Sequence, residues 1–87
     1  MAPQAEEKPI GRITHYYSNL SVAIIELTGG DLKVGEIIHI RGKHTDFTQT
    51  VDSIQIEHQS VPQAKKGQVV GIKVRDKVRD HDQVFRV

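Results

Sequence analysis

The run Asp31-Leu32-Lys33-Val34-Gly35-Glu36-Ile37-Ile38-His39-Ile40, entered through Thr28-Gly29-Gly30, decides how this chain folds. Two glycines, a short basic-apolar arm, a third glycine and an alternating apolar strand describe a tight β-corner. Gly30 and Gly35 suit places where the backbone needs a positive φ or a bend that a Cβ would obstruct. Ile38 and Ile40 then fall on one face of the strand, with His39 and Arg41 on the other. This pattern is the corner of a small barrel, and it points to a binding module rather than a catalyst.

Outward from that corner, 87 residues make one domain. A chain this short buries only about 60% of its unfolded surface, so one small core must hold it together. There is no cysteine, which removes disulfide staples and thiolate metal sites. A closed barrel suits such a chain, because closure removes exposed sheet edges. Lys and Arg number 12 against 11 Asp and Glu, so net charge argues little about partners. Acidic Glu6-Glu7 contrasts with Lys65-Lys66 and with Lys73 to Arg79, which lean basic. Met1 to Lys8 has no apolar run that could serve a secretion signal. No stretch approaches the ~20 apolar residues of a membrane helix. The expectation is a cytoplasmic protein without membrane contact.

Met1 to Pro9 is expected to be a flexible N-terminal tail and residues 10–87 a single β-barrel domain. Ile10 to Tyr17 and Leu20 to Leu27 read as a hairpin about Tyr17-Ser18-Asn19, where Asn19 tolerates left-handed geometry. A third strand runs from Glu36 to Arg41, and Gly42 to Asp46 is a polar hairpin loop. Phe47 to Glu57 reads as one long strand. Val51 and Ile54 are three apart while Ile54 and Ile56 are two apart, so a β-bulge near Asp52-Ser53 is expected. His58 to Gln68 is a loop crossing the barrel end. Val70, Ile72 and Val74 alternate inward, and Gln83 to Val87 closes the structure, with Val84 and either Phe85 or Val87 contributing to the core, Phe85 being the one assigned there. The fold class expected is all-β: a small closed antiparallel barrel of six to seven strands.

The order of these features resembles the second, barrel domain of translational GTPases of the elongation factor Tu type. Gly11-Arg12-Ile13, Val22-Ala23 with Leu27, Gly30 to Glu36, Val51 to Gln55, Val61 to Ala64, Gly67 to Ile72 and Asp82-Gln83-Val84 carry the resemblance, which spans Ile10 to Val87. The C-terminal barrel of collagenase-like peptidase family proteins, associated with RNA modification, is similar. No G-x-x-x-x-G-K-[ST] loop is present, so the resemblance implies a barrel without a GTPase domain and without bound nucleotide. It implies a surface facing tRNA or ribosomal RNA, with the segment matching Ser53 to His58 near an aminoacyl end. Gln55 stands where the elongation factor presents a glutamate.

The candidate nucleic-acid-binding residues are therefore Lys43, His44, Gln55, Glu57, His58, Lys65, Lys66, Lys73 and Arg75. Lys43/His44 and Lys65/Lys66 would grip phosphates, with Gln55 and Glu57 adding contacts from an exposed strand. Lys77 and Arg79 alternate with Asp76, Asp80 and Asp82 and read as an ordinary solvated surface. One of Tyr16 and Tyr17 must face outward, as a stacking platform or as rim packing. His15, His39, His44, His58 and His81 have no metal-ligand spacing, the serines have no nucleophile elbow, and no cofactor is implied. Two readings of function follow. The first is a non-catalytic module that binds RNA or a ribonucleoprotein. The alternative is a protein-interaction adaptor docking onto a separate peptidase-like or RNA-modifying enzyme, supported by the apolar strand Leu20 to Leu27.

Overall fold

Alternating aliphatic residues dictate strands throughout, and the computed structural model, which describes residues 8–87, contains no helix among them. No described helix is therefore long and apolar enough to cross a membrane. The tail expected at Met1 to Pro9 lies outside the described residues up to residue 7. The strands are β1 (Lys8–Tyr17), β2 (Val22–Leu27), β3 (Leu32–Lys33), β4 (Ile37–Arg41) and β5 (Asp46–Thr50), followed by β6 (Ile54–Ile56), β7 (Gln59–Val61), β8 (Gln63–Ala64), β9 (Val69–Lys73) and β10 (Gln83–Arg86). Eight form one antiparallel sheet in the order β5-β4-β10-β1-β2-β9-β6-β7, while β3 and β8 form a small separate ladder.

One face of the large sheet supplies the core. Ile13, Ala23, Ile25, Leu27, Ile38, Ile40 and Val84 are fully buried, joined by Val70, Ile72 and Val74. Each large aliphatic side chain contributes about 1.5–3 kcal/mol on leaving water. Strand β1 bends to keep this face inward. Its register slips between Pro9 and Gly11 against β10, and between Ile13 and His15 against β2. Those irregularities let Ile10 and Ile13, three apart in sequence, both face the core. The glycine corner behaves in part as expected. Gly35 has φ 97°, but Gly30 does not lie in the left-handed region. A Cβ at Gly30 would instead press on Ile10, 3.1 Å from its Cγ2.

The sheet is open, which corrects the closed barrel expected from sequence. The long strand anticipated from Phe47 to Glu57 breaks into β5 and β6, because residues 51–53 carry no ladder. Val51 and Ile54 are both buried as expected, yet the change of phase is absorbed by this break rather than by a bulge. Val51 turns its backbone to the glycine corner, donating to the Glu36 carbonyl at 2.8 Å and accepting from the Gly35 N–H at 2.8 Å. The sheet consequently has two free edges, β5 and β7. A side chain does the work of a ladder at the seam. Gln49 of β5, only 7% exposed, donates through Nε2 to the Lys73 carbonyl at 2.8 Å and accepts the Arg75 N–H at 2.9 Å.

Two further expectations change. Phe85 is paired with His39 across β10 and β4 and lies on the outer face, not in the core. There it meets the His39 ring at 6.2 Å and lies beneath the Arg41 guanidinium at 5.6 Å. In the β1–β2 turn the left-handed residue is Ser21 (φ 55°), not Asn19.

Candidate functional site

The sequence-nominated residues fall into four separate places. Lys43 and His44 occupy the β4–β5 turn. His44 borders a polar cleft of about 590 Å³ with Tyr16, Phe47 and the segment Asp76 to Arg79. Lys73 and Arg75 border a shallow hollow of about 280 Å³ at the seam, beside Gln49, Thr50 and Asp52. Lys65 and Lys66 lie in the β8–β9 connection. There the Lys65 N–H bonds to the Gln68 Oε1 at 2.8 Å and the Lys66 N–H to the Asp31 Oδ1 at 2.9 Å. Gln55, Glu57 and His58 lie on and beyond β6 and share a fourth place, an apolar groove.

The two basic loops do not form one patch. His44 shares its cleft with Tyr16 and Ser18, at the far end of β1. Gly67, next to Lys66, donates to the Leu27 carbonyl at the opposite end of β2. Strands β1 and β2 separate the two loops along their length, so the joint phosphate grip expected of Lys43/His44 with Lys65/Lys66 is not assembled.

The groove is the better-formed feature. It encloses about 510 Å³ and is lined by Tyr17, Leu20, Val22, Ile24, Gln55, Ile56, Glu57, His58 and residues 68–71. Its floor follows from register. Gly71 of β9 is paired with Ile24 of β2 on one side and with Gln55 of β6 on the other. A Cβ at Gly71 would stand 3.4 Å from Val22 Cγ1 and 3.5 Å from Ile24 Cδ1, so the missing side chain opens the trough. Three of the wall residues are large, apolar and half in water: Tyr17 is 48% exposed, Leu20 58% and Val69 52%. Exposed apolar residues gathered in one place mark interaction sites more often than residues scattered singly do.

The far wall is a strained turn. Ile56 pairs with Gln59, leaving Glu57 and His58 as a two-residue loop with φ 51° and 68°. Positive φ at both positions is the type I′ hairpin, which normally recruits Asn-Gly. Non-glycine residues held in that region cost about 1–2 kcal/mol each, and such strain concentrates at functional segments. Sequence reading nominated Gln55, Glu57 and His58, but as part of a long strand and a loop. It missed Tyr17, Leu20, Val69 and Gly71 as their companions. The alternation of Val69-Val70-Gly71-Ile72 was the available signal, since it places Val69 and Gly71 on the outer face. Among the described residues no three His, Asp or Glu side chains converge as a metal site would require.

Comparison with known proteins gives this geometry a context. No protein-family model matches the chain. Over 77 residues it is 47% identical to an uncharacterized protease of Methanocaldococcus jannaschii, a match covering 87% of this chain and 19% of that protein. Over 78 residues it is 40% identical to a collagenase of Porphyromonas gingivalis, covering 88% and 22% respectively. The chain thus spans about one fifth of the length of these curated relatives. Two crystal structures of the C-terminal domain of a Geobacillus thermoleovorans putative U32 peptidase superpose with a TM-score of 0.84 each, at 18% and 19% identity. They cover 90% and 93% of this chain, and it covers 98% and 92% of theirs. The fold is that of a U32 peptidase C-terminal domain. The homologues are collagenase- and protease-named proteins.

The collagenase-like side of the sequence resemblance therefore holds, and the elongation factor side is corrected. Glycine corners and alternating aliphatics record strand ends and an apolar face, and these do not discriminate between families of small curled sheets. The expectation of an RNA-binding, translation-factor-like domain 2 finds no support in these relatives.

Proposed function

We propose that the chain is a non-catalytic interaction domain of the collagenase-like peptidase kind, which docks onto a peptidase-like catalytic partner through the groove over Gly71. One observation carries the reading. Tyr17, Leu20 and Val69 hold about half their surface in water around a single trough, beside a core that is already complete without them. The length of the relatives supports it, because a segment like this one accounts for about one fifth of each. The remaining four fifths supplies ample surface to cover an apolar face.

Binding measured by calorimetry tests the proposal, using this chain and the M. jannaschii relative from which the matching segment has been deleted. The expected result is a saturable one-to-one complex. Leu20→Asp and Val69→Asp should each weaken it by at least about tenfold, a change of about 1.4 kcal/mol. No complex at about 100 μM, a concentration corresponding to only about −5.5 kcal/mol, would overturn it. So would binding untouched by both substitutions.

A further inference from the structure

The backbone at the edge of the groove points to what occupies it. In the β2–β9 ladder, alternate residues of β9 turn their N–H and C=O toward β2. Gln68 accepts from the Leu27 N–H at 2.9 Å, and beyond the strand Val74 donates to the Ser21 carbonyl at 2.9 Å. Val70 and Ile72 belong to the same set by register. The other set, Val69, Gly71 and Lys73, turns toward β6. Gly71 is paired with Gln55, and the Lys73 carbonyl is taken by Gln49. The next rung would join Val69 to Glu57. It does not form, because Glu57 has already turned into the left-handed region and the β6–β9 ladder ends at its single pair. The N–H and C=O of Val69 are therefore left without a partner among the described residues, on the side of the Glu57-His58 turn that lines the groove together with Val69.

An unpaired donor and acceptor on one extended residue is the docking point of an added strand, in which main-chain hydrogen bonds hold the peptide and adjoining pockets select its side chains. The pocket here is the apolar trough over Gly71. Its rim carries Glu57, exposed and without a hydrogen bond or ion pair among the described residues, whereas Glu26 of β2 is held by Arg12 at 3.1 Å. We infer that the groove receives an extended segment of the partner protein, one residue of which pairs with the Val69 backbone. An aliphatic or aromatic side chain of that segment lies over Gly71, and a basic one faces Glu57. This inference rests on the docking function above and specifies how the partner enters.

The test is a titration of the ¹⁵N-labelled chain, followed by amide NMR, with a short blocked peptide alternating leucine and lysine. Two control peptides replace lysine by glutamate or carry N-methylated backbone amides. The expected result is a saturable shift of the Val69 and Gly71 amides with the leucine–lysine peptide, weakened at least about tenfold in both controls. Shifts that map away from Val69, no shift with any peptide, or equal binding of the N-methylated form would each overturn the inference. The calorimetric experiment separates the two levels. A partner complex that forms normally while the peptides fail leaves the docking function standing and removes the added strand.

Discussion

Replacing Gln49 by alanine tests whether one side chain holds the open sheet together. The Gln49 amide satisfies two backbone groups that no strand reaches, the Lys73 carbonyl and the Arg75 N–H, at 2.8 and 2.9 Å. Removing it leaves both unpaired, and an unsatisfied buried polar group costs about 1–3 kcal/mol. Lys73 and Arg75 carry exposed side chains, so water reaches part of the site and the lower end of the range applies. A total loss of about 2–3 kcal/mol follows from two such groups. In a domain of this size each kcal/mol moves the melting temperature by about 4–8 °C, so Gln49→Ala is expected to melt about 8–24 °C lower. Gln49→Glu separates hydrogen bonding from shape. Its carboxylate still accepts the Arg75 N–H but opposes the Lys73 carbonyl oxygen, so it should rescue little. The assay is thermal and urea unfolding followed by circular dichroism, with exposed Thr50→Ala as a control expected within about ±0.5 kcal/mol. A Gln49→Ala loss no larger than that of the control would refute the seam argument.

Three other perturbations have defined outcomes. The double substitution Glu57→Asn with His58→Gly supplies the residues a type I′ turn prefers and is expected to raise stability by about 1–2 kcal/mol, read from the urea midpoint. Gly42→Ala drives a Cβ into the buried Asp82 carboxylate, which also accepts the Arg79 N–H at 2.8 Å. A loss of about 1–3 kcal/mol is expected by the same urea unfolding. Gly71→Leu should leave the fold within about 1 kcal/mol of the parent, since a Cβ there meets only ordinary contacts at 3.4 and 3.5 Å. It fills the trough, however, and calorimetry should show partner binding lost.

Much of the strand content was legible because it rests on alternation alone. Ile38 and Ile40, Val70 and Ile72, and Val51 with Ile54 all face the core where the pattern places them. The failures share a cause, which is that pattern reports faces and does not report pairing. A phase change between Val51 and Ile56 is satisfied equally by a bulge in a continuous strand or by a break, and only the break leaves the sheet open. Phe85 is the exception. Val84 is buried where the pattern places it, opposite Ile40, and its neighbour Phe85 therefore faces outward, because adjacent strand residues alternate. The β3–β8 ladder, two residues on each side, is too short for alternation to reveal. The groove was half visible: Gln55, Glu57 and His58 were nominated, but Val69 and Gly71 become a site only once β9 lies between β2 and β6.

The strained turn and the unpaired edge are one device. Continuing β6 by another rung would pair Glu57 with Val69 and give the Val69 backbone a partner. The chain instead reverses at Glu57-His58, with two side chains in a conformation that glycine occupies freely. That choice forgoes about 0.5–1.5 kcal/mol for each ladder hydrogen bond not made, besides the strain of the turn. A sequence under no demand beyond folding has a cheap remedy in Asn-Gly at these two positions. Retaining Glu-His against that remedy is understandable if the turn's side chains meet a partner, since Glu57 offers the rim a charge that neither Asn nor Gly supplies. The double substitution then separates the two demands: it should stabilise the isolated domain while weakening its partner complex. A variant improved in both respects would mean that the turn is merely imperfect.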